Sequence, residues 1–455
     1  MNMKDYKKMI DVFDRYSFYT HEKIERDIEN NRKGAFALEI VDENGLPIKN
    51  ASVKVKQLGH EFNFGCSSFL LDEFDTKEEN EEYRKKFKKI FNYAVVPLYW
   101  DTLEPEQGKP RFSADSPKIW RRPAVERVVD YCKENDIKMK GHCLMYHSFN
   151  PSWMSDDHRI QKMQIDKRLK EIGEFCGNEF EDVDVINELH CKYKNLYGQA
   201  ESIRRFPCAD DKDHVHWCFD EAKKHFPFSR LFWNEGCFET FGEHYQGDKS
   251  YYYLMLKRYL GEGVPIEGIG MQFHAFSDDE KTLALVYNAL RMLDLIELYS
   301  EFDLPIHLSE ISIPSYSNDS EGEQIQAELV KRMYTLWFSQ KNITATVWWN
   351  LVDNTAYGNE NRFHAGLLRR DMSEKPAFKV LDKLINEEWH TEFETSSAES
   401  GIIEFCGFYG DYEISVERPN EKPFTQRVRL TTDRTGYHHH ENVGFGLRKT
   451  KINVK

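Results

Sequence analysis

A chain of 455 residues has room for one large domain with a smaller attachment, or for two to three ordinary domains. Its 40% hydrophobic and 14% aromatic content is globular, and its formal net charge of −15 argues against nucleic acid or an anionic membrane surface as a partner. No window approaches eighteen consecutive apolar residues, the first residues lack an apolar signal core, and nine cysteines fall without paired spacing, so a reducing, cytoplasmic setting is expected.

Residues 1–33 are charged and helix-prone, with Ile10, Phe13, Tyr16 and Phe18 giving a partial apolar face that ends at Gly34. "AFALEIVDENGLPIKNASVKVKQ" then reads as a β-hairpin: Phe36, Leu38 and Ile40 alternate with smaller or polar residues, Asn44–Gly45 supply a turn, and Val53 and Val55 alternate with lysines. From Phe62 to Phe378 strands alternate with longer helical stretches. The strands fall at 62–67, 92–98, 137–147, 183–188, 230–235, 266–274, 304–312 and 344–350. Helical segments lie at 78–90, 117–134, 159–178, 211–226, 249–261, 279–302 and 321–340, with a last one near 376–387. Eight strands and eight helices predict an α/β fold of the (β/α)8 TIM-barrel type. No GxGxxG follows the first strand, which counts against a doubly wound sheet. The tail from 388 returns to short β patterns, with Tyr412, Ile414 and Val416 alternating with polar residues. The expected organisation is a helical segment (1–33), a hairpin (34–60), the barrel (61–387) and a tail (388–455), with hairpin and tail forming one small accessory β domain.

In such a barrel the chemistry lies at the C-terminal strand ends. Those ends carry His142 and His147, Asn187–Glu188, Asn234–Glu235, Gln272 and His274, His307 and Glu310, and Trp348, Trp349 and Asn350. Glu188 and Glu310 come from the fourth and seventh strands and are expected to face one another across the mouth. Two opposed carboxyl groups suit glycoside hydrolysis with retention, where they stand about 5–5.5 Å apart and one donates a proton while the other attacks. Their environments must then differ, so that one keeps its proton and the other stays ionised. Asn187 is placed to bind a sugar hydroxyl, and His307 to help hold Glu310 ionised. Glu235 reads as a strand-end ion-pair partner, and Cys66, Cys143 and Cys237 as small buried hydrophobes. "YHHHENV" (437–443) lacks the spacing of a tetrahedral metal site and reads as a solvated loop. The strand-end histidines lack H-x-H pairing, so neither a metal nor a cofactor is expected.

Several of these stretches resemble one family. "KGHCLMYHSFNPSWM" is similar to "RGHTLVWHxxxPxWV" of glycoside hydrolase family 10, the retaining endo-β-1,4-xylanases. "DVDVINE" resembles that family's "WDVVNE", "GIGMQFH" its "GIGxQxH", "LPIHLSEISI" its "LxIxxTELDI" and "TVWWNLVDNTAY" its "TVWGVxDxxSW". The resemblance covers roughly 60–390 and implies Glu188 as acid/base and Glu310 as nucleophile. It further implies that His142, Asn187, Gln272 and His274 line the catalytic subsite over a Trp349 floor, with Tyr146, His147 and Tyr357 as further substrate contacts. There are departures. Where the family's second strand ends "TxENxMKW", whose Asn and Lys hold the glycone sugar, this chain has "VPLYW" (96–100). Tyr146 and Tyr357 stand where tryptophans are usual. The resemblance therefore implies a carbohydrate-cleaving enzyme acting on xylan-type polysaccharide or oligosaccharide. The alternatives are the same chemistry on a different or decorated β-glycan, and a non-catalytic carbohydrate-binding barrel.

Overall fold

Strands that alternate with amphipathic helices can bury both layers only by wrapping into α/β structure. In the computed structural model, which describes residues 3–190, 211–242, 245–419, 421–431 and 449–454, that wrap closes into a barrel. The chain divides into two units. One comprises Met1–Ser17, Phe64–Tyr334 and Asn342–Val380; the other comprises Phe18–Asn63, Thr335–Lys341 and Leu381–Lys455.

In chain order the strands begin with β1 (Lys33–Val41) and β2 (Ser52–His60), followed by β3 (Asn63–Ser67), β4 (Tyr93–Pro97), β5 (Lys138–His142) and β6 (Met145–Tyr146). Then come β7 (Phe180–Asn187), β8 (Arg230–Glu235), β9 (Gly268–His274), β10 (Ile306–Ser312) and β11 (Ile343–Trp348). Strands β3 to β11 form one sheet in the order β5-β4-β3-β11-β10-β9-β8-β7-β6, closed by a β5–β7 pairing. Since β5 and β6 are two pieces of one barrel strand, this is the expected (β/α)8 barrel. The break inside the expected 137–147 strand has a cause. The buried Arg168 guanidinium takes the carbonyls of Leu98, Cys143 and Leu144, drawing that backbone out of the ladder.

The parallel register sets which strand ends meet. Asn187 pairs with Asn234, Tyr146 with Asn187, Gln272 with Glu310, and His274 with Ser312. Two expected helices are shorter than their patterns. Only Val125–Glu134 of 117–134 is helical. Pro123 lacks an N–H and disfavours helical geometry at Arg122, and Arg121 adopts a positive φ of 64°. The 279–302 segment is two helices, Glu280–Val286 and Ala289–Ser300, because the Asn288 side chain caps the second by accepting from the Arg291 N–H at 3.2 Å. The N-terminal helix Met3–Asp14 buries Tyr6, Met9, Val12 and Phe13, and Tyr6 donates to the Pro314 carbonyl at 2.5 Å. Phe18, expected on the apolar face, is 82% exposed.

The second unit contains two sheets. After the barrel come β12 (Glu392–Ser396), β13 (Ile402–Phe408), β14 (Gly410–Glu417), β15 (Phe424–Leu430) and β16 (Lys449–Asn453). The sheets run β13-β1-β16 and β12-β2-β14-β15. The expected β1–β2 hairpin is therefore not formed. The Asn44–Gly45 turn exists and brings Pro47 back to Val41, but the chain then crosses to the other sheet. Crossing lets Phe36, Leu38 and Ile40 of β1 share one core with Val53 and Val55 of β2 and with Tyr412, Ile414 and Val416 of β14. Paired side by side in one sheet, those apolar faces would have pointed the same way with nothing opposite.

Candidate active site

The barrel mouth holds a cleft of about 790 Å3, lined by Asn187, Glu188, Gln272, His274, Glu310 and Trp349, with Tyr146, His147 and Tyr357 around them. Glu188 follows β7 in the left-handed region, with φ of 54°, and its N–H donates to the Asn234 carbonyl at 2.9 Å. A non-glycine residue in that region is uncommon, and here it turns the carboxyl out of the strand into the cleft. Glu188 is half-buried. The Tyr146 hydroxyl donates to its Oε2 at 2.8 Å, and Gln272 Nε2 donates to its Oε1 at 2.8 Å.

Gln272 Nε2 also donates to Glu310 Oε1, at 2.9 Å. One amide nitrogen thus spans both carboxyl groups, and the two contacts together put those oxygens no more than about 5.7 Å apart. Glu310 is buried. Asn234 Nδ2 donates to its Oε1 at 3.0 Å, and His274 Nε2 lies 3.1 Å from its Oε2. Burial pushes the Glu310 carboxyl up to about 8, and the neighbouring Glu188 pushes the same way, while His142 and the Asn234 donor pull it down. The raised carboxyl is thus the one expected to stay ionised. Burial also lowers the His274 imidazole, whose Nδ1 lies 3.0 Å from the Ser312 hydroxyl.

His142 does not line the cleft. It is buried, with Nδ1 2.8 Å from Asp184 Oδ2 and Nε2 3.2 Å from the hydroxyl of Tyr99, the tyrosine of "VPLYW", which does line it. His142 Nε2 still stands 3.9 Å from Glu310. Asp184 is buried too, but Lys140, at 2.6 Å, and His142 hold its carboxyl below the usual range. His307 was expected to hold Glu310 ionised. Instead it stacks on Phe232 at 4.1 Å inside the barrel, 3.4 Å from Lys140, and burial keeps it neutral. The Trp349 ring lies 5.3 Å from that of His142 and 5.0 Å from that of Phe69, forming one wall of the cleft. His147 packs edge-on against Tyr146 at 4.8 Å, and the exposed Tyr357 sits 5.6 Å from Phe149 at the rim.

Asn234 is the residue that strand-end reading undervalued. Its Nδ2 donates to Asn187 Oδ1 at 2.8 Å as well as to Glu310, and its own oxygen accepts from Ser309 at 2.5 Å. The clue was available, since β8 ends on the same Asn–Glu pair as the chain at 187–188. Glu235 accepts from the Trp233 indole at 2.8 Å and from the His190 N–H, and burial raises it to about 8. It does not line the cleft. Tyr99, Arg121, Arg122 and Phe149 do, and they come from loops. The thiols of Cys66, Cys143 and Cys237 are all pushed up by burial. Among the described residues one metal-like trio occurs, Asp166, Glu221 and His225, which does not line the cleft and whose Asp166 already accepts from Lys224 at 2.8 Å. The 437–443 histidines lie outside the described residues.

The profile described as "Glycosyl hydrolase family 10" matches residues 58–383. The chain is 26% identical over 410 residues to the "Anti-sigma-I factor RsgI6" of Acetivibrio thermocellus, covering 89% of this chain and 47% of that one. It is 27% identical over 317 residues to the "Endo-1,4-beta-xylanase/feruloyl esterase" of Xylanibacter ruminicola, covering 59% and 39%. The chain therefore spans less than half the length of these two curated relatives. Native xylanase 10B from Thermotoga maritima shares the fold, with a TM-score of 0.56 at 18% identity over 72% of this chain and 96% of that one.

Proposed function

Because the chain belongs to glycosyl hydrolase family 10, we propose that its cleft cleaves a β-glycoside by double displacement, with Glu188 as acid/base and Glu310 as nucleophile. The observation that carries this reading is the Gln272 bridge. It holds the two carboxyl groups within about 5.7 Å, close to the spacing of retaining enzymes and short of the 6.5 Å or more that inversion needs for an intervening water.

The half-buried Glu188 protonates the leaving glycosidic oxygen while Glu310 attacks the anomeric carbon, giving a covalent glycosyl ester. Glu188 then takes a proton from water, the water oxygen attacks the anomeric carbon, and Glu310 departs as a carboxylate. Asn234 donates to the Asn187 oxygen, which leaves the Asn187 amide nitrogen to donate to a sugar hydroxyl, a contact that strengthens in the transition state. Trp349 offers its ring to the sugar face. The substrate is a xylan-type polysaccharide or oligosaccharide, in line with the names of the Xylanibacter and Thermotoga relatives. A second reading keeps the mechanism and changes the glycan, and the Tyr99 wall in place of an Asn–x–x–Lys pair favours it. A binding-only barrel has no use for an amide that bridges an acid and a nucleophile.

Glu310→Ala should lower hydrolysis of an activated aryl β-xyloside by roughly 10,000-fold, the scale on which loss of a covalent nucleophile is felt. Added azide should then yield the α-glycosyl azide from Glu310→Ala and the β-glycosyl azide from Glu188→Ala. Proton NMR of wild-type hydrolysis should show the β-anomer first. Undiminished activity in Glu310→Ala, or an initial α-anomer, sinks the assignment.

A further inference from the structure

The loop between Pro117 and Pro123 carries two arginines to the cleft wall, and the chemistry above uses neither. Arg122 lies over the Tyr99 ring, its guanidinium carbon 4.1 Å from the centroid, with Phe69 at 5.3 Å and Phe149 at 5.6 Å. Its Nη1 donates to the Arg121 carbonyl at 2.9 Å. No carboxylate forms an ion pair with it among the described residues. Asp101 attracts it electrostatically without a hydrogen bond, and the two catalytic carboxyl groups are taken by Tyr146, Gln272, Asn234 and His274. The edge formed by Nε and Nη2 is thus left over, and that edge matches the two oxygens of a carboxylate. Arg121 stands behind. Its Nη1 donates to Asn350 Oδ1 at 3.0 Å and to the Thr355 carbonyl, while its Nε is buried without a hydrogen-bond partner. A buried guanidinium with one orphaned donor, beside a second guanidinium placed over aromatic rings, is poorly matched to a neutral chain alone.

We propose that Arg122, backed by Arg121, receives a carboxylate, so that the cleft takes a β-glycan bearing uronosyl groups. This rests on the glycosidase reading above and names its substrate class. The uronosyl group is borne at or next to the sugar that Glu310 attacks, because Tyr99 joins the two places: its ring lies under Arg122, and its hydroxyl is 3.2 Å from His142, which stands 3.9 Å from Glu310. Arginine held on an aromatic face loses little rotamer freedom on binding, so the pair is pre-organised.

The test compares two substrates that differ only in charge: a xylo-oligosaccharide bearing a glucuronosyl branch, and the same compound with its carboxyl group reduced to the alcohol. The readout is the ratio of their kcat/KM values. Wild type should prefer the acidic substrate by about tenfold or more, the scale of a charge-assisted hydrogen-bonded pair. Arg122→Gln should bring that ratio close to one, and Arg122→Lys, which keeps a charge but lacks the fork, should fall between. A wild-type ratio near one, or a ratio that Arg122→Gln leaves intact, overturns the carboxylate site while the glycosidase reading stands. Failure of wild type to cleave either compound or any neutral xylo-oligosaccharide overturns both this site and the xylan-type substrate.

Discussion

Glu310 holds its proton under opposing forces, and the balance has consequences for pH. Donors from Asn234 and Gln272 and the nearby His142 favour the ionised carboxylate, while burial and the facing Glu188 favour the acid. Burial leads, raising the group to about 8. Near neutrality the pair therefore holds a proton, and the proposed double displacement needs one proton in the pair, on Glu188, when a sugar is bound. A carboxyl whose folded value exceeds its unfolded one, near 4.3, stabilises the fold fully below that unfolded value and loses the contribution as pH climbs to about 8. Glu310→Gln mimics the protonated group at every pH. Its thermal midpoint should exceed that of wild type by about 2 °C or more at pH 8.5 and converge on it near pH 4. An equal gain at both pH values would show that burial of charge at Glu310 is not the cause. Both carboxyl groups were legible in the chain because each lies at or near the C-terminal end of an apolar strand. The balance at Glu310 was not, because the groups that oppose its rise, His142, Asn234 and Gln272, come from three other strands. Arg122 was illegible for another reason: a helical pattern over 117–134 was read through Pro123, so a cleft-lining loop passed for a helix face.

At the scale of elements, the barrel register depends on where β9 has no side chains. In "GIGMQFH" the two glycines face large residues of β8. A Cβ on Gly268 would lie 2.3 Å from the Phe232 ring, and one on Gly270 would lie 2.3 Å from Asn234 Oδ1 and 3.0 Å from its Cα. The first contact concerns packing, since Phe232 stacks on His307. The second concerns chemistry, since Asn234 holds both Asn187 and Glu310. Overpacking of this kind costs about 1–3 kcal/mol. Gly270→Ala should therefore lower kcat on an aryl β-xyloside by at least about tenfold, by displacing the amide that positions both partners. Gly268→Ala should chiefly lower the thermal midpoint. If both variants lose stability and keep kcat, Asn234 does not position the pair. The strands themselves were readable from apolar runs ended by polar residues. The strand break at Cys143–Leu144 was not, because the Arg168 that causes it sits on a helix more than twenty residues later.

For the molecule as a whole, the second unit has a long-range assembly that no local pattern announces. It gathers Phe18–Asn63, Thr335–Lys341 and Leu381–Lys455, so its two early strands are joined to late ones by registers spanning over three hundred residues. Alternation marked β1, β2 and β14 as strands, yet a tight Asn–Gly turn between β1 and β2 pointed to a hairpin that the shared core overrides. In the structure β1 pairs with β13 and β16, and β2 with β12 and β14. Every sheet partner of the two early strands thus lies beyond residue 391. A chain ended after Glu388 keeps all the barrel strands but leaves β1 and β2 as unpaired edges, with Phe36, Leu38, Ile40, Val53 and Val55 stripped of Tyr412, Ile414 and Val416. Unpaired apolar strands are templates for association. The truncated protein should accumulate mainly as aggregate, and its soluble fraction should bind the hydrophobic dye ANS more strongly than the full chain. A monodisperse truncated protein with unchanged dye binding would mean that the early strands need no partner from the tail.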